Sequence, residues 1–120
     1  MPYAAITGWG TAIPQRILTN QDLEQMVETS DEWIVSRTGI RERHIVSGGE
    51  STTSLGAGAA RAALAKAGRS ASELDLIVVA TATPDDFLVS QACLIQAEIE
   101  ASGAAFDVGA ACAGFVTALS

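Results

Sequence analysis

The stretch FDVGAACAGFVTALS, Phe106 to Ser120, decides the fold. The apolar run Ala104 to Val108 predicts a short strand. Small residues, Gly109-Ala110-Ala111, follow it and lead to a cysteine, Cys112. Ala113-Gly114-Phe115 and a helix-like apolar run come next. A strand turning sharply into a helix with a nucleophile at the turn is a nucleophile elbow. Small neighbours permit the tight turn and let a substrate carbonyl approach the sulfur. At a helix N-terminus the cysteine also meets the positive end of the macrodipole, which favours thiolate over thiol. Cys112 therefore reads as a catalytic cysteine for acyl transfer; the competing reading is a small buried hydrophobe.

Toward the N-terminus, Ser90 is expected to cap a helix through about Ala101, ended by Gly103, ahead of the cysteine's strand. Leu76 to Ala80 is a continuous apolar run, the mark of a strand buried on both faces. Thr83-Pro84-Asp85-Asp86 breaks that run, and Asp85-Asp86 reads as a solvated turn rather than a positioned acid pair. Ser51 or Thr52 opens a long helix to Lys66, stopped by Gly68, with Ser70 capping a brief turn. Gly56, Ala59, Ala60 and Ala63 give that helix a face permitting close approach. Ser30 or Asp31 starts a helix over Glu32 to Arg37, closed by Gly39; Arg41 to Val46 is extended, and Ser47-Gly48-Gly49 is a turn. Asn20 is expected to cap a helix through about Val27. Tyr3 to Ile13 alternates weakly and reads as a first strand kinked at Gly8-Trp9-Gly10. This G-x-G is no dinucleotide fingerprint, because Ile13 stands at the third glycine position. Strands alternating with helices predict α/β organisation with a parallel sheet.

The chain has 120 residues, 48% hydrophobic and 18% charged, with a net charge of −7. That suffices for one domain with a core. The acidic balance argues against nucleic acid, and no apolar run reaches the length of a membrane helix. No signal peptide is legible at the N-terminus. Cys93 and Cys112 are too few for a disulfide framework, so a reduced, cytoplasmic protein is expected. Cys93, beside Leu94 and Ala97, reads as core packing. His44 has no partner at ligand spacing, so it reads as structural and no metal site is expected. Arg37, Arg41 and Arg43 form a local basic cluster that either receives an anion or pairs with Glu32, Glu42 and other acids.

Several stretches together resemble β-ketoacyl-acyl carrier protein synthase III, a condensing enzyme of the thiolase-like superfamily. They are Thr29-Ser30-Asp31-Glu32-Trp33-Ile34, Arg37-Thr38-Gly39-Ile40-Arg41-Glu42-Arg43, Leu76 to Thr81 and Phe106 to Phe115. The match is collinear from Tyr3 to Ser120. The family is about two to three times this length, so residues 1–120 are expected to be an N-terminal half, truncated just after the nucleophile helix begins. The resemblance implies an α/β, thiolase-like layered αβαβα fold with only its first βαβαβ-type half present.

The activity implied is acyl transfer from acyl-CoA, acetyl-CoA above all, to Cys112. Decarboxylative Claisen condensation with malonyl-acyl carrier protein then starts fatty acid synthesis. The coenzyme A thioester is the substrate and no separate cofactor is implied. A thioester on cysteine divides one difficult transfer into two easier steps, and the Cys112 N–H is placed to donate to the developing oxyanion. By the same resemblance, Trp33 lies at the mouth of the substrate tunnel and stacks on adenine, while Thr29 and Arg37 contact the nucleotide. An indole suits a purine, and a guanidinium suits a phosphate. A homodimer is implied as well.

Three departures from the family stand out. A phenylalanine followed by Pro-Ser is replaced by Leu88-Val89-Ser90; that phenylalanine reaches across the dimer to limit the partner's acyl pocket. Phe87, shifted by one, or Leu88 would take its place, which leaves the starter acyl group open. Trp9 replaces a small residue without evident function. The family's catalytic histidine and asparagine fall beyond Ser120, so these 120 residues alone are expected to be inactive and to fold poorly. The alternatives are a thiolase-like condensing enzyme of secondary metabolism with a larger starter group, or an inactive truncated product.

Overall fold

A computed structural model describes residues 3–120. It forms two compact units: Ile13–Glu50, and the N-terminal segment through Ala12 together with Ser51–Ser120.

In the smaller unit, β1 (Arg16–Thr19) leads directly into α1 (Asn20–Glu24), followed by α2 (Asp31–Thr38) and β2 (Glu42–Ile45). The strands pair antiparallel, Arg16 opposite Ile45 and Thr19 opposite Glu42. Thr19, not Asn20, caps α1: its hydroxyl accepts from Asp22 N, and the Asp22 carboxylate accepts from Thr19 N at 2.9 Å. These bonds, the backbone one first, hold the Asp22 carboxyl below its ordinary range. Asn20 does different work. It is fully buried, and its amide donates to Asp31 Oδ1 at 2.7 Å and to the Ile40 carbonyl at 2.9 Å while accepting from Arg43. Such a side chain is a hub joining both helices to β2, because a buried amide must find partners for its donors and acceptor. The helix also stops at Glu24 rather than near Val27. The α2 boundaries are as expected. Ser30 Oγ accepts from Trp33 N at 3.1 Å, and Gly39, at φ 72°, closes the helix in the left-handed region glycine tolerates.

In the larger unit, α3 (Thr52–Ala67) starts at a reciprocal Ser51–Ser54 capping box and ends at Gly68. A short 3-10 turn, Ala71–Glu73, precedes β3 (Leu76–Ala80), α4 (Gln91–Glu98) and β4 (Ala104–Val108). Glu73 binds Ser70 N at 2.8 Å and Arg69 at 2.8 Å, which holds its carboxyl down to about 2. A second 3-10 turn, Ala111–Ala113, and α5 (Gly114–Leu119) complete the unit. β3 and β4 pair parallel, Leu76 beside Ala104 and Ala80 beside Val108, as the βαβ reading requires. Ala57, Ala92, Ile95 and Ile99 are the buried core where α3 meets α4. The small-residue face of α3 does permit close approach: a Cβ at Gly56 would run into Ile95.

Three further expectations fail. No strand forms over Tyr3 to Ile13, since nothing among the described residues pairs with it. Gly8 and Gly10 instead lie against the backbone of α3, where a Cβ at Gly8 would come within 2.9 Å of Ala67 N. Trp9 also has a structural account, because the Lys66 ammonium sits 3.4 Å from its ring centroid, a cation–π contact. Second, β3 and β4 are not buried on both faces: Leu76 is 49% and Phe106 48% exposed. The two-stranded sheet is covered by α4 and α5, which cannot enclose it. Third, α4 ends at Glu98, with Glu100 at φ 58°, so Gly103 is not its stop. Gly103 is small for a steric reason, as a Cβ there would strike the Asp75 backbone beside the Ala104 N to Asp75 O bond that opens the β3–β4 ladder.

Candidate active site

Cys112 lies where the sequence pattern puts it, after β4 and before α5, but inside the one-turn 3-10 segment rather than in the helix itself. The strained position is its neighbour. Ala111 has φ 42°, a left-handed conformation that costs a non-glycine residue about 1–2 kcal/mol. The turn is fixed on its far side by Gly114, which is buried; a Cβ there would come 3.1 Å from Ala80 Cβ. Larger residues at 114 would lift α5 off β3. The thiol is exposed and unpaired with Cys93. It lines a recess of about 500 Å³ with Val78 and Ala80 of β3 and with Phe115, Ala118 and Leu119 of α5. An accessible sulfur beside an apolar wall can hold a thioester while the wall receives the acyl chain.

The remaining predicted site residues fall elsewhere. In the smaller unit, Thr29 and Trp33 line one shallow groove with Glu28 and Ser30, and Trp33 is 57% exposed, so it is not a core aromatic. Arg37, one turn later on α2, stacks its guanidinium 5.8 Å from the Trp33 ring centroid. An indole and a cation are thus presented together at the surface. Arg43, by contrast, is committed to Asn20, and none of Arg37, Arg41 and Arg43 forms an ion pair among the described residues. The basic cluster is therefore not a set of ion pairs among the described residues. His44 Nδ1 bonds the Pro14 carbonyl at 2.7 Å beside the β1–β2 pair, a structural role. Phe87 and Leu88 are each 96% exposed on the loop between β3 and α4 and do not line the Cys112 recess. Cys93 is exposed rather than core, because α4 turns its Ala92 and Ile95 side inward. No cluster of histidine, cysteine and carboxylate groups able to hold a metal occurs among the described residues.

A hydrogen-bonded network in the larger unit was not legible in the sequence. Asp85 is exposed on its loop, as expected, but it is not free. Its carboxylate accepts from Thr53 Oγ1 at 2.6 Å, Thr53 N at 2.7 Å and Thr52 N at 2.9 Å at the start of α3. These bonds, the Thr53 hydroxyl foremost, hold its carboxyl well below the usual range. The fully buried Gln91 accepts from Asp85 N and donates to Thr53 Oγ1, both at 2.7 Å. Asp107, in β4, accepts from the N–H groups of Gln91 and Ala92, also at 2.7 Å. Asp86 meanwhile accepts from Leu88 N and Val89 N, shaping the exposed loop tip.

The geometry is shared with proteins of known structure. A crystal structure of 3-oxoacyl-[acyl-carrier-protein] synthase III from Aquifex aeolicus VF5 superposes with a TM-score of 0.91 at 50% identity over 95% of this chain. The curated β-ketoacyl-[acyl-carrier-protein] synthase III of Roseiflexus castenholzii is 58% identical over 118 residues, 98% of the chain. The chain matches the N-terminal part of β-ketoacyl-acyl carrier protein synthase III. It spans 36% of the Roseiflexus relative's length and 37% of the Aquifex chain. The priming β-ketosynthase of the R1128 polyketide biosynthetic pathway also superposes with a TM-score of 0.91, at 38% identity and 34% of its length. No protein-family model matches. The synthase III resemblance read from the sequence therefore holds, and so does the mixed α/β, thiolase-like fold, represented by its N-terminal part.

Proposed function

We propose that Cys112 is the acyl-accepting nucleophile of a β-ketoacyl-acyl carrier protein synthase III. The observation that carries this reading is an exposed thiol at the strand-to-helix turn, facing an apolar recess. The thiolate attacks the carbonyl carbon of an acyl-CoA; the C–S bond to coenzyme A breaks, and coenzyme A leaves as its thiol after taking up a proton. The backbone N–H of Cys112 donates to the oxyanion as it develops. Malonyl-acyl carrier protein then loses carbon dioxide. Its carbanion attacks the thioester carbonyl, a C–C bond forms, and the sulfur of Cys112 departs as thiolate. Acetyl is the preferred starter, and the thioester substrate serves without a separate cofactor.

The nucleotide end of coenzyme A is assigned to Trp33, Arg37 and Thr29. The exposed indole offers stacking area to adenine, and the guanidinium held over it offers charge to phosphate. Phe87 and Leu88 are assigned to the acyl pocket across a homodimer, because two neighbouring apolar side chains that are almost wholly exposed favour a partner surface. No helix is long and apolar enough to cross a membrane among the described residues, in keeping with a cytoplasmic enzyme.

Incubation of the full-length protein with acetyl-CoA, followed by peptide mass spectrometry, tests the central claim. The acetyl group is expected on Cys112 and absent from Cys112→Ser. An unmodified Cys112 in the parent would sink the proposal. A second reading, a priming enzyme of secondary metabolism, draws on the R1128 similarity and on Leu88. Labelling of Cys112 by longer acyl-CoAs with acetyl-CoA excluded would select it.

A further inference from the structure

The N-terminus of α4 is capped from the neighbouring strand, not by its own cap residue. Ser90 occupies the N-cap position, yet its hydroxyl makes no capping bond and is buried without a partner. The helix's opening N–H groups go to Asp107 instead, Gln91 N to Oδ2 and Ala92 N to Oδ1. A carboxylate shared by two N–H groups at a helix N-terminus forms charge-assisted bonds in a favourable dipole field. Only Val108, Gly109, Ala110 and Ala111 lie between this anchor and Cys112.

Beyond the cysteine, the chain is pinned again where Gly114 rests on Ala80. The turn bearing the thiol is thus held at both ends, and the strained Ala111 lies within it. Strain of this kind persists only when its surroundings over-determine it. Releasing one end would let Ala111 relax toward ordinary backbone angles and carry the sulfur with it.

We infer that Asp107 is a positioning residue for Cys112, fixing the turn that aims the thiol by clasping the start of α4. The inference rests on the acyl-acceptor reading of Cys112. A misplacement of about 1 Å at a reacting atom lowers rates by roughly a hundredfold, so loss of the clasp acts on the acylation rate rather than on acyl-CoA binding.

The test is single-turnover acylation of the full-length protein over a range of acetyl-CoA concentrations, for the parent, Asp107→Asn, and Ser90→Asp combined with Asp107→Asn. The double variant gives α4 a local cap without the tie to β4. Asp107→Asn is expected to lower the maximal rate by about tenfold or more while half-saturation moves less than about twofold. The double variant is expected to recover the thermal midpoint but not the rate. A rate for Asp107→Asn within about twofold of the parent would overturn the inference, as would recovery of both midpoint and rate in the double variant. Should Asp107→Asn fail to fold, the double variant alone decides by the same criterion. A parent that never acylates Cys112 is a different result: it overturns the acyl-acceptor reading, and this inference with it.

Discussion

Replacing Gln91 with glutamate would place a carboxylate where a buried amide now joins two helix starts. In the parent, Oε1 accepts from Asp85 N and Nε2 donates to Thr53 Oγ1, both at 2.7 Å, with no exposed surface at Gln91. One glutamate oxygen can keep the first bond. The other would face a hydroxyl whose single proton already goes to Asp85 Oδ2 at 2.6 Å. The new charge would also be desolvated close to the Asp85 and Asp107 carboxylates, and both effects favour the protonated acid. A rise of about 2–3 pKa units above the unfolded value near 4.3 corresponds to roughly 3–4 kcal/mol, a large share of the 5–15 kcal/mol typical of a domain (about that for most). Because the folded state would bind the extra proton, the deficit is absent below the unfolded pKa. It grows as pH rises and is complete above the raised one. Gln91→Leu breaks the same bonds without a charge, so its loss of about 2–4 kcal/mol should not depend on pH. Urea unfolding of the full-length protein at about pH 4 and pH 7.5 separates the two. A Gln91→Glu deficit that is equal at both pH values, or below about 1 kcal/mol at the higher one, would refute the network as described.

Asp85→Asn should lower the thermal midpoint at neutral pH. The depressed Asp85 carboxyl contributes above its ordinary value near 3.9 (about that in peptides) and loses its effect only as pH falls through the folded one; the gap to the parent should therefore persist at pH 4 and shrink only in stronger acid, and thermal melts across that range check it. Gly8→Ala should destabilise by about 1–3 kcal/mol through overpacking against α3, and an unchanged midpoint would show that the segment does not press on the helix. Residues 1–120 expressed alone should aggregate and form no β-ketoacyl product, given Leu76, Phe106, Phe115 and Leu119 at the surface; a cooperative, soluble monomer with condensing activity in a carrier-protein assay would contradict this.

What was legible in the sequence was local. Ser30 with Gly39, and Ser51 with Gly68, announce helix ends because the capping atoms sit within a few residues of the groups they satisfy. The parallel β3–α4–β4 unit and the Cys112 turn follow from apolar runs separated by small residues. Contacts made at a distance were hidden. Asp85 looks like any loop acid until α3 is brought to it, and Asp107 looks like a polar interruption in a strand until α4 needs a cap. Asn20 misled for a related reason: residue type suited the cap, but burial committed its amide to Asp31, Ile40 and Arg43 while Thr19 took the role. The strand expected at Tyr3 to Ile13 required a pairing partner, a tertiary fact that no alternation pattern contains.

The two tryptophans fall one to each unit, Trp9 in the larger and Trp33 in the smaller, and each has a cation at its ring. Indole emission is sensitive to such a neighbour, so the stack on Lys66 and the stack on Arg37 are two separate optical reporters. Trp9→Phe would leave Trp33 to register the smaller unit, and Trp33→Phe would leave Trp9 to register the docking of the N-terminal segment on α3. Within these 120 residues, the loss of order in each unit can then be timed independently of the other, without attaching a dye.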